Sequence, residues 1–274
     1  MAIITLSREL GSLGTDIADT LSYRLGYSKL DKVSLEPLLK RFGMTRPQFE
    51  RDDEKCPGYW ERLSREKIRY LDFMKTAMYR LAGEKDCVIV GRGGNIIFRG
   101  VPGTLRLRII APLKVRVARL CKRFSIDEQR ALRMIHQSDH DRAGYHKYFF
   151  NAVWDSSSDY DLVVNTAGVS PGETCDAVSA LLRSPAYAGA GCLAREALRD
   201  LSIAQEAIIG IVYRERIAVM SLEVVCDKGV VSLHGTARSQ TASDRCVSIA
   251  GAMEGVTRVV NHIEVAPFAY YTEV

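Results

Sequence analysis

The chain has no apolar run approaching the roughly 20 residues of a membrane-spanning helix. It also has no basic segment ahead of an apolar one at its start, where Ala2 to Leu6 is the whole apolar run before Arg8. The expectation is a cytoplasmic protein with no transmembrane segment. The seven cysteines, at 56, 87, 121, 175, 192, 226 and 246, are odd in number and form no C-x-x-C pair, which argues against both a zinc site and a disulfide framework. Histidine is scarce, and His136, His146, His234 and His262 stand at no ligand spacing from Cys or acidic residues, so they read as incidental. Charge of one sign is lacking too. A net charge of +5 with no long basic tract suits a phosphorylated ligand and gives no reason to expect nucleic acid.

What is present is a chain of 274 residues with 47% apolar and 26% charged residues, the composition of an ordinary globular protein of two domains or one large one. Ala2 to Leu6 reads as a buried parallel strand. The loop Ser7-Arg8-Glu9-Leu10-Gly11-Ser12-Leu13-Gly14-Thr15 follows, then a helix from Asp16 to Leu25, stopped by Gly26. Strand, glycine-containing loop and helix N-terminus together make a phosphate cradle or a plain strand-to-helix turn. A full phosphate loop reads G-x-x-x-x-G-K-[ST]; here the lysine and the Ser/Thr are missing from their usual places.

Further along, Tyr27 to Asp31 reads as a short strand and Leu35 to Phe42 as a helix. Gln48 to Glu54 reads as another helix, with Thr45 as its cap. Residues 52–59 form a polar loop, and a long helix follows from Trp60 to about Leu81. Cys87 to Val90 is a buried strand followed by Gly91-Arg92-Gly93-Gly94, and Thr104 to Ala111 is another strand. Leu113 to Phe124 reads as a basic helix. Ser125 and Glu128 suggest a capping box for a helix running to about Tyr145. A strand over Tyr160 to Thr166 and a helix over Pro171 to Leu182 complete this part. Residues 184–194, small and Gly/Pro-containing, read as a linker between domains at 1–183 and 195–266, with a tail at 267–274. The second domain reads helix, strand, strand, helix, strand, with a hairpin at Asp227-Lys228-Gly229.

Residues 1–183 resemble the cytidylate-kinase-like branch of the P-loop nucleoside monophosphate kinases. The resemblance rests on Ile4 to Gly14, on Val88 to Asn95, on Ser138 to Ala143 with Tyr148-Phe149, and on Tyr160 to Thr166. That branch's own pattern also lacks the lysine; Leu13 stands where it usually has glycine, and His140 where cytidylate kinases have arginine. Residues from about 195 to 266 resemble a BON domain, through Val225 to Gly235 and Gly255 to Asn261. The resemblance implies an α/β fold, a P-loop kinase-like parallel sheet flanked by helices, joined to a small α+β domain of order αββαβ. It implies a phosphotransferase using ATP and Mg²⁺, with a pyrimidine nucleoside monophosphate such as CMP as acceptor. For the BON-like domain it implies a protein, lipid or small-molecule ligand.

On this reading the backbone N–H groups of Leu10, Gly11, Ser12, Leu13, Gly14 and Thr15 hold the donor phosphates, aided by the helix dipole. Arg8 supplies part of the missing lysine's charge, or else forms a surface ion pair with Glu9 or another carboxylate. Arg92, between glycines at the end of a buried strand, suits an acceptor phosphate, because phosphate sites favour the guanidinium fork. Asp31 lies by resemblance near the acceptor or a Mg²⁺ water; its alternative is a helix cap. Arg119, Arg123, Arg130, Arg133 and Arg142 form a basic lid, of which Arg123, Arg133 and Arg142 are the catalytic candidates. Asp139 and Arg142 share a helix face, and by resemblance they read the pyrimidine ring. Two other readings stand: a catalytically inactive nucleotide-binding sensor, and an adaptor working through the BON-like domain.

Overall fold

The computed structural model describes residues 2–42 and 66–266. The helix expected at Gln48 to Glu54, its Thr45 cap, the 52–59 loop, the start of the helix expected from Trp60, and the tail at 267–274 lie outside the described residues. The chain divides into two compact units, Met1–Arg195 and Glu196–Val274. No helix among the described residues is long and apolar enough to cross a membrane.

The first unit is built on five parallel strands: β1 (Ile3–Arg8), β2 (Ser28–Leu30), β3 (Cys87–Val90), β4 (Thr104–Ile110) and β5 (Leu162–Asn165). Their spatial order is β2-β3-β1-β4-β5. Ile3 pairs with both Cys87 and Thr104, so β1 is central. That position explains why Ile3 to Ser7 are all apolar or small: a strand covered on both faces has no solvent side. Ile4, Leu6, Val88, Leu105, Leu107 and Val164 pack with Ile17 and Leu21 of α1 (Gly14–Leu25) into one core cluster. Because all five strands run the same way, the segments after β1, β2 and β3 emerge at one edge of the sheet, the usual position of ligand sites in such sheets.

Helices α2 (Lys32–Arg41), α3 (Glu66–Glu84) and α4 (Gly94–Ile97) follow β2 and β3; α5 (Leu113–Phe124) and α6 (Glu128–Phe150) lie between β4 and β5. Helix α3 runs through Gly83 rather than ending before it. The start of α6 also differs from the sequence expectation. Ser125, with φ of 52°, closes α5 in the left-handed region, and Asp127 caps α6 by accepting from the Arg130 N–H. A residue cannot both terminate one helix left-handed and present the extended backbone of an N-cap to the next. After β5 come α7 (Pro171–Leu182), α8 (Pro185–Ala188) and α9 (Gly191–Ile208), so the stretch expected as a linker is largely helical.

The second unit contains a π-helical turn at Ile209–Arg214, then β6 (Val219–Asp227), β7 (Val230–Ala237), α10 (Gln240–Gly251) and β8 (Arg258–Val265). Strands β6 and β7 pair antiparallel and β8 joins β7 in parallel. Lys228 and Gly229 turn the hairpin with φ of 50° and 78°, the left-handed pair that a two-residue turn requires. The Asp200 carboxylate accepts from the N–H groups of Lys228 (2.8 Å) and Gly229 (3.1 Å) and from the Cys226 thiol (3.2 Å). Burial and this carboxylate push the Cys226 thiol pKa up to about 12, leaving it protonated and inert. Val224, Val231, Leu233, Cys246, Ala250 and Ile263 form this unit's own core.

Candidate active site

The loop after β1 is held by its carbonyls. Glu9 O accepts from the Ser12 N–H and hydroxyl. Gly11 O accepts from Arg119 at 3.3 Å, and Leu10 O lies 3.5 Å from Arg116. Ser12 O accepts from the Thr166 hydroxyl at 2.9 Å. Arg119 grips Thr166 through both its hydroxyl and its carbonyl, at 2.9 and 2.7 Å. These contacts fix the loop's carbonyls, and the Ser12 N–H is itself committed to Glu9 O. Gly14 and Thr15 open α1, where N–H groups have no intrahelical acceptor. Gly14 is required by contact: a Cβ there would lie 2.4 Å from the Arg8 Cβ. Leu13, which precedes α1, has φ of 64°, the conformation for which glycine is suited.

Glu9 is engaged elsewhere than with Arg8. Its carboxylate accepts from the Ala111 N–H at 3.1 Å and lies 3.5 Å from Arg116 and 3.7 Å from Arg108. Of the expected alternative for Arg8, a surface pair with Glu9 or another carboxylate, the Glu9 arm is not what forms. Arg8 is instead tied by its backbone: Arg142 of α6 donates to Arg8 O at 2.6 Å. His146, one turn on, shares a hydrogen bond with Arg142 O at 3.0 Å and is 3% exposed. Its Nε2 lies 3.5 Å from the Asn95 Oδ1 of α4, so it joins α6 to the turn after β3 and is not incidental.

After β3, Gly91, Arg92 and Gly93 are all left-handed, with φ of 73°, 56° and 68°. Gly93 tolerates no side chain, because a Cβ would lie 2.2 Å from the Phe150 ring. This strained turn delivers Arg92, 2% exposed, with Nη1 3.3 Å from the Tyr70 hydroxyl. Non-glycine residues held in this region mark positions that their surroundings over-determine. Asp31 caps α2, accepting from Val33 N–H and Ser34 N–H at 3.0 and 3.2 Å, with Lys29 at 3.3 Å from its other oxygen. The cap expected as its alternative role is thus made. The hydrogen bond to Asp19 holds the Lys29 pKa above its ordinary value.

Two cavities adjoin the loop. One, of about 780 Å³, is lined by Lys29, Asp31 and Lys32, by Arg92, and by Arg133, Gln137, Ser138, Asp141 and Arg142 of α6. The other, of about 570 Å³, lies between residues 9–16 and the α5 residues Arg119, Leu120, Lys122 and Arg123. Arg8, Leu10, Thr15 and Arg142 line both. Arg123, whose side chain is 61% exposed, sits 3.7 Å from Asp16 at the second cavity. Asp139 falls outside both linings and is bonded to Arg116 at 2.7 Å, which corrects its expected place beside Arg142. On α6 the cavity residues recur in pairs as 133 and 134, 137 and 138, and 141 and 142, whereas Asp139 continues the stripe of buried Ala131 and Ile135 that packs on α5. That spacing is legible in the sequence and would have pointed to Gln137, Ser138 and Asp141. Lys32, Arg116, Arg119 and Thr166 depend on tertiary placement, which no local pattern reveals. Among the described residues no three His, Cys, Asp or Glu side chains gather into a metal site.

The Cytidylate kinase-like family model matches residues 3–168 of this chain. The chain belongs to the cytidylate kinase-like family. The BON domain model matches residues 203–267, so this member carries a BON domain. A curated relative, the cytidylate kinase of Methanocaldococcus jannaschii, is 26% identical over 169 residues, 60% of this chain and 88% of that protein. Among solved structures, an uncharacterized protein from Eubacterium ventriosum is 21% identical with a TM-score of 0.54, over 67% of this chain and 99% of its own. A shikimate kinase from Bacteroides thetaiotaomicron is 13% identical with a TM-score of 0.41, over 67% and 99%.

Proposed function

We propose that the first unit transfers the γ-phosphoryl group of ATP, as its Mg²⁺ complex, to a pyrimidine nucleoside monophosphate such as CMP. The observation that carries this reading is the pair of adjoining cavities that share Arg8, Leu10, Thr15 and Arg142. Phosphoryl transfer needs two bound phosphates in line and cations where charge develops, and little covalent help. The donor occupies the cavity against α5, its phosphates on the N–H groups of Leu10, Gly11, Leu13, Gly14 and Thr15; the Ser12 N–H, bonded to Glu9 O, drops out of the expected set. The acceptor occupies the larger cavity, its phosphate on buried Arg92. An acceptor phosphate oxygen bonds to the γ-phosphorus, the bond to the β,γ-bridging oxygen breaks, and ADP and a nucleoside diphosphate leave. Arg8 and Arg142, at the junction, neutralise the transferring group, while Arg123 and Arg133 approach from the two lid helices. Mg²⁺ travels with the donor. One Asp31 oxygen already accepts two N–H groups, so the ion is held by phosphates and water, with Asp31 within reach of a water at most. Asp141 and Gln137 replace Asp139 as the groups that face the acceptor's base. The substrates place the protein in the cytoplasm. The BON domain adds a binding function for a small molecule, lipid or protein.

The test is turnover of a nucleoside monophosphate panel with ATP and Mg²⁺, following ADP and diphosphate formation. Turnover of CMP or UMP is expected. Arg142→Ala should lower kcat by about 10²-fold or more, the usual effect of losing one donor to the transferring charge. Arg92→Ala should chiefly raise the acceptor KM, with Arg92→Lys partly restoring it. Nucleotide binding in calorimetry without turnover of any acceptor would leave the sensor reading in its place.

A further inference from the structure

Two buried phenols have no part in the chemistry above, and both lead to Arg92. Tyr70 of α3 and Tyr145 of α6 are buried. Their hydroxyls share a hydrogen bond of 3.3 Å, and Arg92 Nη1 donates to the Tyr70 hydroxyl at 3.3 Å. The chain of three groups thus joins α3, the turn after β3, and α6. Phe149 packs on both phenol rings, with centroids 4.8 Å from Tyr70 and 4.7 Å from Tyr145. Phe150, whose centroid is 6.0 Å from that of Tyr145, is the ring that presses on Gly93. The aromatic end of α6 therefore packs against the strained turn that carries Arg92.

We propose that Tyr70 and Tyr145 are positioning residues for the acceptor. Their hydroxyls aim the Arg92 guanidinium at the phosphate of a nucleoside monophosphate in the larger cavity. The inference rests on the reading of Arg92 as the arginine that holds the acceptor phosphate. Arg92 lines that cavity, whereas neither phenol does, so the phenols act through the guanidinium and not on the substrate. A phenol is neutral, and it fixes where the guanidinium points without cancelling its charge. An unrestrained arginine loses rotamer freedom when it closes on a phosphate; one already held in direction loses less. Tyr145 also ties this direction to α6. Three positions earlier on the same helix, Arg142 lines the cavity and donates to Arg8 O at 2.6 Å. One helix thus carries one cavity cation and sets the direction of another.

The experiment is calorimetric titration of the full-length protein with CMP and with inorganic phosphate, alongside thermal unfolding and acceptor kinetics. Tyr70→Phe removes one oxygen and keeps the ring. It should weaken CMP binding about tenfold, because a bond to a charged group is lost, and Tyr145→Phe about threefold, because a neutral one is. In an Arg92→Ala background, Tyr70→Phe should change CMP binding by less than about twofold, the coupling expected if the phenol acts through the guanidinium. In steady state, Tyr70→Phe should raise the acceptor KM and leave kcat within about twofold of wild type. Phe149→Leu is the packing control, since it loosens both rings and keeps both hydroxyls. Loss of CMP affinity that follows the fall in unfolding midpoint across Tyr70→Phe, Tyr145→Phe and Phe149→Leu would make the cluster packing alone and overturn the proposal. Wild-type CMP affinity in both phenol variants would overturn it too. No turnover by wild type, with CMP binding still weakened by Tyr70→Phe, would overturn the kinase reading and support the positioning role. Absence of CMP and phosphate binding in wild type would overturn the assignment of Arg92, and the positioning role with it.

Discussion

The residue that most sharply tests the phosphate-loop geometry is Leu13. Its φ of 64° costs an L-residue about 1–2 kcal/mol relative to the right-handed region, yet the loop keeps it there, between Ser12, whose carbonyl is held by Thr166, and Gly14, pressed on Arg8. A β-branched residue fits this conformation worse than leucine does. Leu13→Val should therefore lower stability by about 1–2 kcal/mol, read as a shift of the urea midpoint at constant slope. Leu13→Gly should stay within about 1 kcal/mol of wild type, because relief of strain offsets the glycine's greater freedom in the unfolded chain. Equal effects of the two variants would show that the left-handed backbone is not what leucine is resisting. Arg92 presents the same logic with a functional outcome: a buried cation on three consecutive left-handed residues is held there by its surroundings and cannot be relaxed away.

At the scale of elements, legibility in the sequence followed locality. Helix α5 was readable to both ends, from Leu113 to Phe124, because its apolar spacing and its flanks are local features. The same stretch misled at Ser125, where a cap-type residue turned left-handed and ended a helix rather than starting one. Asp139 looked like a companion of Arg142 at a spacing of three, but its partner is Arg116, 23 positions earlier, and only packing of α5 on α6 brings them together. Strand joints carry the same non-local information. Arg106 of β4 clasps Asp161, just before β5, at 3.0 and 2.6 Å, and its backbone N–H adds a third bond at 2.8 Å. Burial works to raise the Asp161 pKa, but these bonds outweigh it and hold the carboxyl below its ordinary value. A depressed folded-state pKa gives stability that is present above the unfolded value near 3.9 and lost as pH falls through the lower folded value. Asp161→Asn should thus cost about 1 kcal/mol at neutral pH. The gap between wild type and variant in urea midpoint should close as pH drops below about 4. A gap that stays constant through that range would mean that shape, not charge, makes the clasp.

At the scale of the molecule, a net charge of +5 is too small to act alone, and what matters is where the cations are placed. Arg8, Lys29, Lys32, Arg92, Arg133 and Arg142 line the larger cavity against only Asp31 and Asp141. Walls of low dielectric concentrate that field on whatever enters, so the proposed acceptor, a doubly charged monophosphate, would be drawn in by the same groups proposed to bear the transferring phosphoryl. Screening separates the two roles. The Debye length falls from about 10 Å at 0.1 M salt to about 3 Å at 1 M, which weakens attraction across the cavity mouth but not contacts at hydrogen-bond distance with water excluded. Raising salt from about 0.05 to about 0.5 M should therefore raise the acceptor KM by about five- to tenfold and change kcat by less than about twofold. The expected signature in steady-state assays is a KM that rises with salt while kcat holds. A kcat that falls in parallel would instead place Arg8 and Arg142 in solvent during the chemical step, and their proposed role where the two cavities meet would have to be abandoned.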